Sequence, residues 1–126
     1  CIGVSSYSRS AFKFFMPVLD AAAIINAKLA EGVTVPEVIS ELKDFESREL
    51  AHARIAEGAL SVLSPSKESV HAAKAKASPR LSRTDVQVLA LALELGQEIV
   101  TDDYALQASA RALGLKFRPV IFRGIR

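Results

Sequence analysis

The sequence has one cysteine, Cys1, one methionine, Met16, and no tryptophan. A lone cysteine excludes an internal disulfide and any cysteine-based zinc site, and it points to a reducing, cytoplasmic setting. The two histidines, His52 and His71, are too few and too isolated for a histidine-rich metal centre. No apolar run reaches the roughly 18 residues of a membrane span, so no membrane partner is expected. Aromatic residues are 6% of the chain, and Tyr7 and Tyr104 are its two tyrosines. That leaves little for stacking on nucleobases. Charge of one sign is scarce as well: 16 Lys and Arg against 14 Asp and Glu leave +2. So small a balance names no partner by itself, and the placement of the charges matters more.

What is present is aliphatic. Half of the 126 residues are hydrophobic, with many Ala, Leu, Ile and Val. That suits a single compact α/β domain over 1–126, long enough for a real core, and argues against disorder. Met16 is a candidate natural start, which makes Cys1–Phe15 an extension; its apolar positions are too scattered for a cleavable signal.

Strand and helix patterns alternate along the chain. Phe14–Leu19 reads as a buried strand ending at Asp20, and Ala21–Glu31 as a helix stopped by Gly32. Thr34-Val35-Pro36-Glu37 reads as a helix start, with Thr34 and Glu37 forming a capping box. Val38, Leu42 and Phe45 then recur at helical spacing. Asp44–Glu57 is a second helix ended by Gly58, and Ala59–Leu63 a short strand. Lys67–Ala77 is an exposed helix, broken by Ser78-Pro79-Arg80. Ser82 caps the helix Arg83–Leu95, which Gly96 closes. Glu98–Thr101 is a strand, Tyr104–Leu113 a helix and Leu115–Phe122 a last strand. Such alternation predicts a mainly parallel central sheet covered on both faces, a three-layer α/β/α architecture.

Acids recur at the ends of these elements. Asp20 leaves the first strand, Asp85 opens a helix, and Asp102 and Asp103 leave a late strand. Glu41 lies one turn beyond Glu37. Each has an ordinary explanation: Asp20, Asp85 and Asp103 as helix caps, Glu41 as a helix former. Those explanations take one acid at a time. Together, carboxylates gathered at one sheet edge suit Mg²⁺ or Mn²⁺, which prefer oxygen ligands and keep room for water and phosphate. In open α/β sheets the C-terminal edge of the strands is where ligands bind. An ion held there can activate water against a phosphodiester.

The blocks VLDAAAII, VPEVISELKD, LSRTDVQVLALA and IVTDDYALQASA resemble a PIN-domain ribonuclease. The segment KDFESREL and the LSxTD phrasing resemble the NOB-type branch of archaea and eukaryotes more than VapC-type toxins. The resemblance covers roughly Met16–Val120, and its late block is more specific than the generic VLD block. It implies a PIN-like fold, Mg²⁺- or Mn²⁺-dependent endoribonuclease activity, and a role in 3′-end maturation of small-subunit ribosomal RNA. It places the acidic set on Asp20, Glu41, Asp85 and Asp103, with Asp102 auxiliary, because the family's late acid stands just before an aromatic such as Tyr104. Many PIN domains carry Ser or Thr near Ala22; this chain has alanine, so Thr101 or Ser82 is the candidate substitute. NOB-type proteins usually continue into a zinc ribbon; no CxxC pair occurs within these 126 residues.

Lys67, Lys74, Lys76, Arg80 and Arg83 precede Asp85 with few acids among them. Any one of them is plausible as solvated surface. As a run, Lys74, Lys76, Arg80 and Arg83 are expected to contact the phosphate backbone of single-stranded or precursor ribosomal RNA. PIN domains often pair, so a homodimer is expected too. Two alternatives stay open: a VapC-like toxin ribonuclease, and a non-catalytic PIN-like scaffold that binds RNA or protein.

Overall fold

A computed structural model describes residues 16–120. The expectations for Cys1–Phe15, for Phe14 and Phe15 in the first strand, and for Ile121 and Phe122 in the last, lie outside the described residues.

Five short strands form one sheet: β1 (Val18–Leu19), β2 (Gly32–Thr34), β3 (Leu60–Val62), β4 (Ile99–Val100) and β5 (Phe117–Arg118). Six helices connect or cover them: α1 (Ala21–Ala27), α2 (Pro36–Glu41), α3 (Phe45–Glu57), α4 (Lys67–Lys76), α5 (Arg83–Leu95) and α6 (Tyr104–Ala112). The strand order is β3-β2-β1-β4-β5 and every pairing is parallel. Val18 and Leu19 sit at the centre of the sheet with no exposed surface, as a strand buried on both faces requires.

The chain moves outward in one direction from β1 to β3, then crosses back to β4 and β5 on the other side. Right-handed crossovers therefore put α1–α3 on one face and α4–α6 on the other. The packing agrees: α1 touches α2 and α3, while α5 touches α4 and α6. The expected three-layer α/β/α fold is the observed one. α5 supplies the richest apolar face, with Val88, Leu89, Leu91 and Ala92 fully or almost fully buried.

Three local expectations change. The helix read as Ala21–Glu31 ends at Ala27, where Lys28 takes a left-handed conformation (φ 55°). Lys28 there reaches Ser47 and Ile25 and ion-pairs with Glu46 at 3.5 Å, contacts a continued helix would forfeit. The residues after it form β2, a strand too brief to show a period. Gly32 is required in it: φ is +143°, and a Cβ would strike the carbonyl of Pro17, just before the neighbouring strand. Thr34 is consequently strand, not helix cap. Its Oγ1 donates to the Leu19 carbonyl (2.8 Å), the cap position of α2 is Val35, and no capping box forms with Glu37. Phe45 does not continue the helix of Val38 and Leu42. Leu42 turns extended, Asp44 caps a new helix through the Ser47 amide, and Phe45 is left 72% exposed.

Candidate active site

The direction of the chain reverses at β1, so the crevice beyond the C-terminal ends of β1 and β4 is the topological switch point of this sheet, the position where open α/β sheets bind ligands. Asp20 leaves β1 on one side of it. Thr101, Asp102 and Asp103 leave β4 on the other.

Asp20 occupies the N-cap position of α1, yet its side chain makes no capping hydrogen bond. It is buried, 8% exposed, and its Oδ2 accepts from the Thr101 hydroxyl at 2.5 Å. Burial pushes its carboxyl above the ordinary range; the Thr101 hydroxyl pulls it down, the nearby charge of Asp85 pushes it up again, and the Ala21 and Ala22 amides pull it down to a smaller degree. The fully buried Thr101 also accepts from the Asp103 amide at 3.1 Å. A single hydroxyl thus joins the exits of the two central strands. Of the two hydroxyls considered in place of the one absent at Ala22, Thr101 is the one that bonds Asp20. Ser82, the other candidate, instead caps α5.

Asp85 does serve the helix. Its amide bonds the Ser82 hydroxyl at 3.1 Å and its Oδ2 accepts from the Ser82 amide at 3.4 Å, a complete capping box. It has a second character. Burial raises its carboxyl, the Ser82 bonds oppose this, and the charges of Asp103 and Glu41 raise it further. Asp85 therefore couples electrostatically to each of the other three acids. Glu41 ends α2, not the middle of a helix, and its Oε2 accepts from Thr84 at 2.5 Å. Thr84 was missed in the sequence, although its only signal, a hydroxyl directly before Asp85 in LSRTD, was in view. Asp103 caps α6 through the amides of Ala105 and Leu106. Asp102 turns away from β1: its Oδ1 accepts from the Val120 amide just beyond β5.

Asp20, Glu41 and Asp103 thus each lie within electrostatic reach of Asp85. Among the described residues, no three acids stand in a geometry that could hold one ion. Two of the four direct oxygens to capping bonds. The donor set itself is all carboxylate, steadied by hydroxyls, which matches a hard divalent cation and not a thiolate-seeking one. Burial chiefly, and repulsion among the acids to a smaller degree, lifts Asp20 and Asp85, and a bound cation would relieve both penalties.

The four cations of the basic run divide. Lys74 and Arg83 line one groove between α4 and α5, whereas Lys76 and Arg80 do not line it. No helix among the described residues is long and apolar enough to cross a membrane.

A parallel five-stranded sheet with acids at its switch point defines a PIN-type α/β protein. A PilT N-terminus domain protein from Sulfolobus solfataricus P2 shares the fold, with a TM-score of 0.57 at 15% identity over 84% of this chain and 87% of that one. The sequence pattern of the PIN domain of ribonuclease matches residues 18–95. The Endoribonuclease Nob1 of Pyrococcus abyssi is 46% identical over 114 residues, 86% of this chain and 70% of that protein. Three other archaeal Nob1 endoribonucleases match at 37–38% identity. The Ribonuclease VapC3 of Aeropyrum pernix is 38% identical over 85% of this chain and 87% of that protein. The chain belongs to the PIN-domain ribonuclease family.

Proposed function

We propose that this protein is a divalent-metal-dependent endoribonuclease that hydrolyses RNA phosphodiester bonds in the 3′-end maturation of small-subunit ribosomal RNA. The observation that carries the nuclease reading is Asp20: a buried carboxylate at the exit of β1, held by the Thr101 hydroxyl at the switch point and facing the charge of Asp85. Asp20, Glu41, Asp85 and Asp103 would hold Mg²⁺ or Mn²⁺, with Asp102 auxiliary. When bound, the ion supplies charge for a phosphoryl oxygen and a hydroxide-like water.

The residues of the chain do the rest. Thr101 fixes the direction of the Asp20 carboxylate, and Thr84 does the same for Glu41. Of the basic run, Lys74 and Arg83, which line one groove, offset the phosphate charge of the RNA. The ribosomal assignment is supported by the Nob1 names of several relatives and by the NOB-like LSxTD and KDFESREL segments. The VapC3 likeness favours a second reading, a toxin-like ribonuclease held by an antitoxin.

Purified protein should cleave single-stranded RNA with Mn²⁺ and lose activity in EDTA. Asp20→Asn and Asp103→Asn should each lower the rate at least about 100-fold, the scale of removing one electrostatic stabiliser from an active site. Undiminished cleavage by both variants would overturn the assignment. Cleavage confined to precursor ribosomal RNA favours the first reading; general cleavage silenced by a small partner encoded alongside favours the second.

A further inference from the structure

The spacing of α4 places Lys67, Val70 and Lys74 on one stripe, three and four residues apart. On α5, Arg83 and Gln87 are four apart and share a face. Where the two helices pack, these stripes enclose a groove of about 590 Å³ whose floor includes Val70, Leu81 and Val86. An adjoining cavity of about 440 Å³ shares Val70, Lys74, Arg83 and Gln87, and carries the groove on to Lys67 and Glu37. Lys76 lies two residues past Lys74, on the opposite side of the helix, and Arg80 belongs to the turn between the helices.

Three features mark this groove. The ion pairs among the described residues involve Lys28, Arg54 and Arg118, and Lys67, Lys74 and Arg83 take part in none of them. Against those three cations the lining offers one carboxylate, Glu37. The groove also begins at the acidic edge. Arg83 lines it, the next residue Thr84 bonds Glu41, and the one after is Asp85. Glu37 and Glu41 stand one turn apart on α2, about 6 Å along its axis.

We infer that the α4–α5 groove is the track for the RNA strand that flanks the cut, with Lys67, Lys74 and Arg83 holding its phosphates. The inference rests on the nuclease reading above and narrows it, since it leaves Lys76 and Arg80 outside the phosphate contacts and adds Lys67. Single-stranded RNA fits the lining better than an acidic peptide does. Phosphates meet the cations, the apolar floor accepts a ribose or base face, and the Gln87 amide offers a donor and an acceptor to a base edge.

The test compares two double variants that each remove two positive charges, Lys74→Ala with Arg83→Ala and Lys76→Ala with Arg80→Ala. Both are made in the Asp20→Asn background, so that binding of a fluorescent single-stranded RNA is read without cleavage. The groove pair should weaken binding at least about tenfold and lower the slope of log K against log salt by about 1.4, at roughly 0.7 per lost single-strand phosphate contact. The outer pair should leave the slope unchanged. Equal losses from both pairs, a larger loss from the outer pair, or competition by polyglutamate as strong as by unlabelled RNA would overturn the inference. Failure of the nuclease reading looks different: the Asp20→Asn protein would then still cut, whatever the groove variants do.

Discussion

Asp20 is a carboxylate whose burial works against its own charge. An acid raised in the folded state binds its proton more readily there than in the unfolded chain. Stability contributed through Asp20 therefore falls as pH rises from its ordinary value of 3.8 through the raised folded value, and the cost is complete above that. Asp20→Asn keeps an oxygen for the Thr101 hydroxyl and removes the charge. In metal-free buffer the variant should melt on the order of a few degrees higher at pH 7, and the gain should vanish below pH of about 3.8. Melting curves at both pH values check this, and an equal gain at each would contradict it. Much of this residue was legible beforehand: a carboxylate ending an apolar run and preceding a helix. Its partner was harder to see. Thr101 lies 81 positions away, and no local pattern joins residues whose contact depends on β1 pairing with β4.

At the scale of elements, α5 tests whether Asp85 is structural, functional or both. The capping box predicts that Ser82→Ala costs about 1 kcal/mol, because the first turn loses an acceptor. Asp85→Asn keeps a side-chain oxygen for the Ser82 amide, so its stability should lie within about 0.5 kcal/mol of the parent. Its RNA cleavage should fall as far as that of Asp20→Asn. Urea unfolding beside a cleavage assay separates the two roles; equal activity at unchanged stability would leave Asp85 a cap alone. The helices read well because their stops are chemically explicit, as in Gly58 and Gly96, both left-handed, and in Ser66 and Ser82, both caps. The failures share a cause. Strand β2 is three residues long, so Thr34 imitated a helix cap while belonging to a sheet. Phe45 imitated a core position because the periodic pattern ran across a break that Asp44 imposes.

For the whole molecule, the class of fold followed from alternation, but the order of the strands did not. That order decides which exits face each other, and so which acids can act together. It also decides that Asp102 serves β5 while Asp103 remains beside β1. A cation held by Asp20, Glu41, Asp85 and Asp103 would be a global stabiliser. A ligand that binds only the folded state adds about 2.7 kcal/mol at 100 times its Kd. Mn²⁺ should accordingly raise the melting temperature of the parent protein and not that of Asp20→Asn; equal shifts in both would place the cation elsewhere. One consequence of the Thr101 hydroxyl is mechanical. Its single proton is committed to Asp20, so the lone pair left over is what receives the Asp103 amide. The start of α6 and the exit of β1 therefore share one oxygen atom, besides the backbone pairing of β1 with β4. Thr101→Val would release the Asp20 carboxylate and the Asp103 amide together.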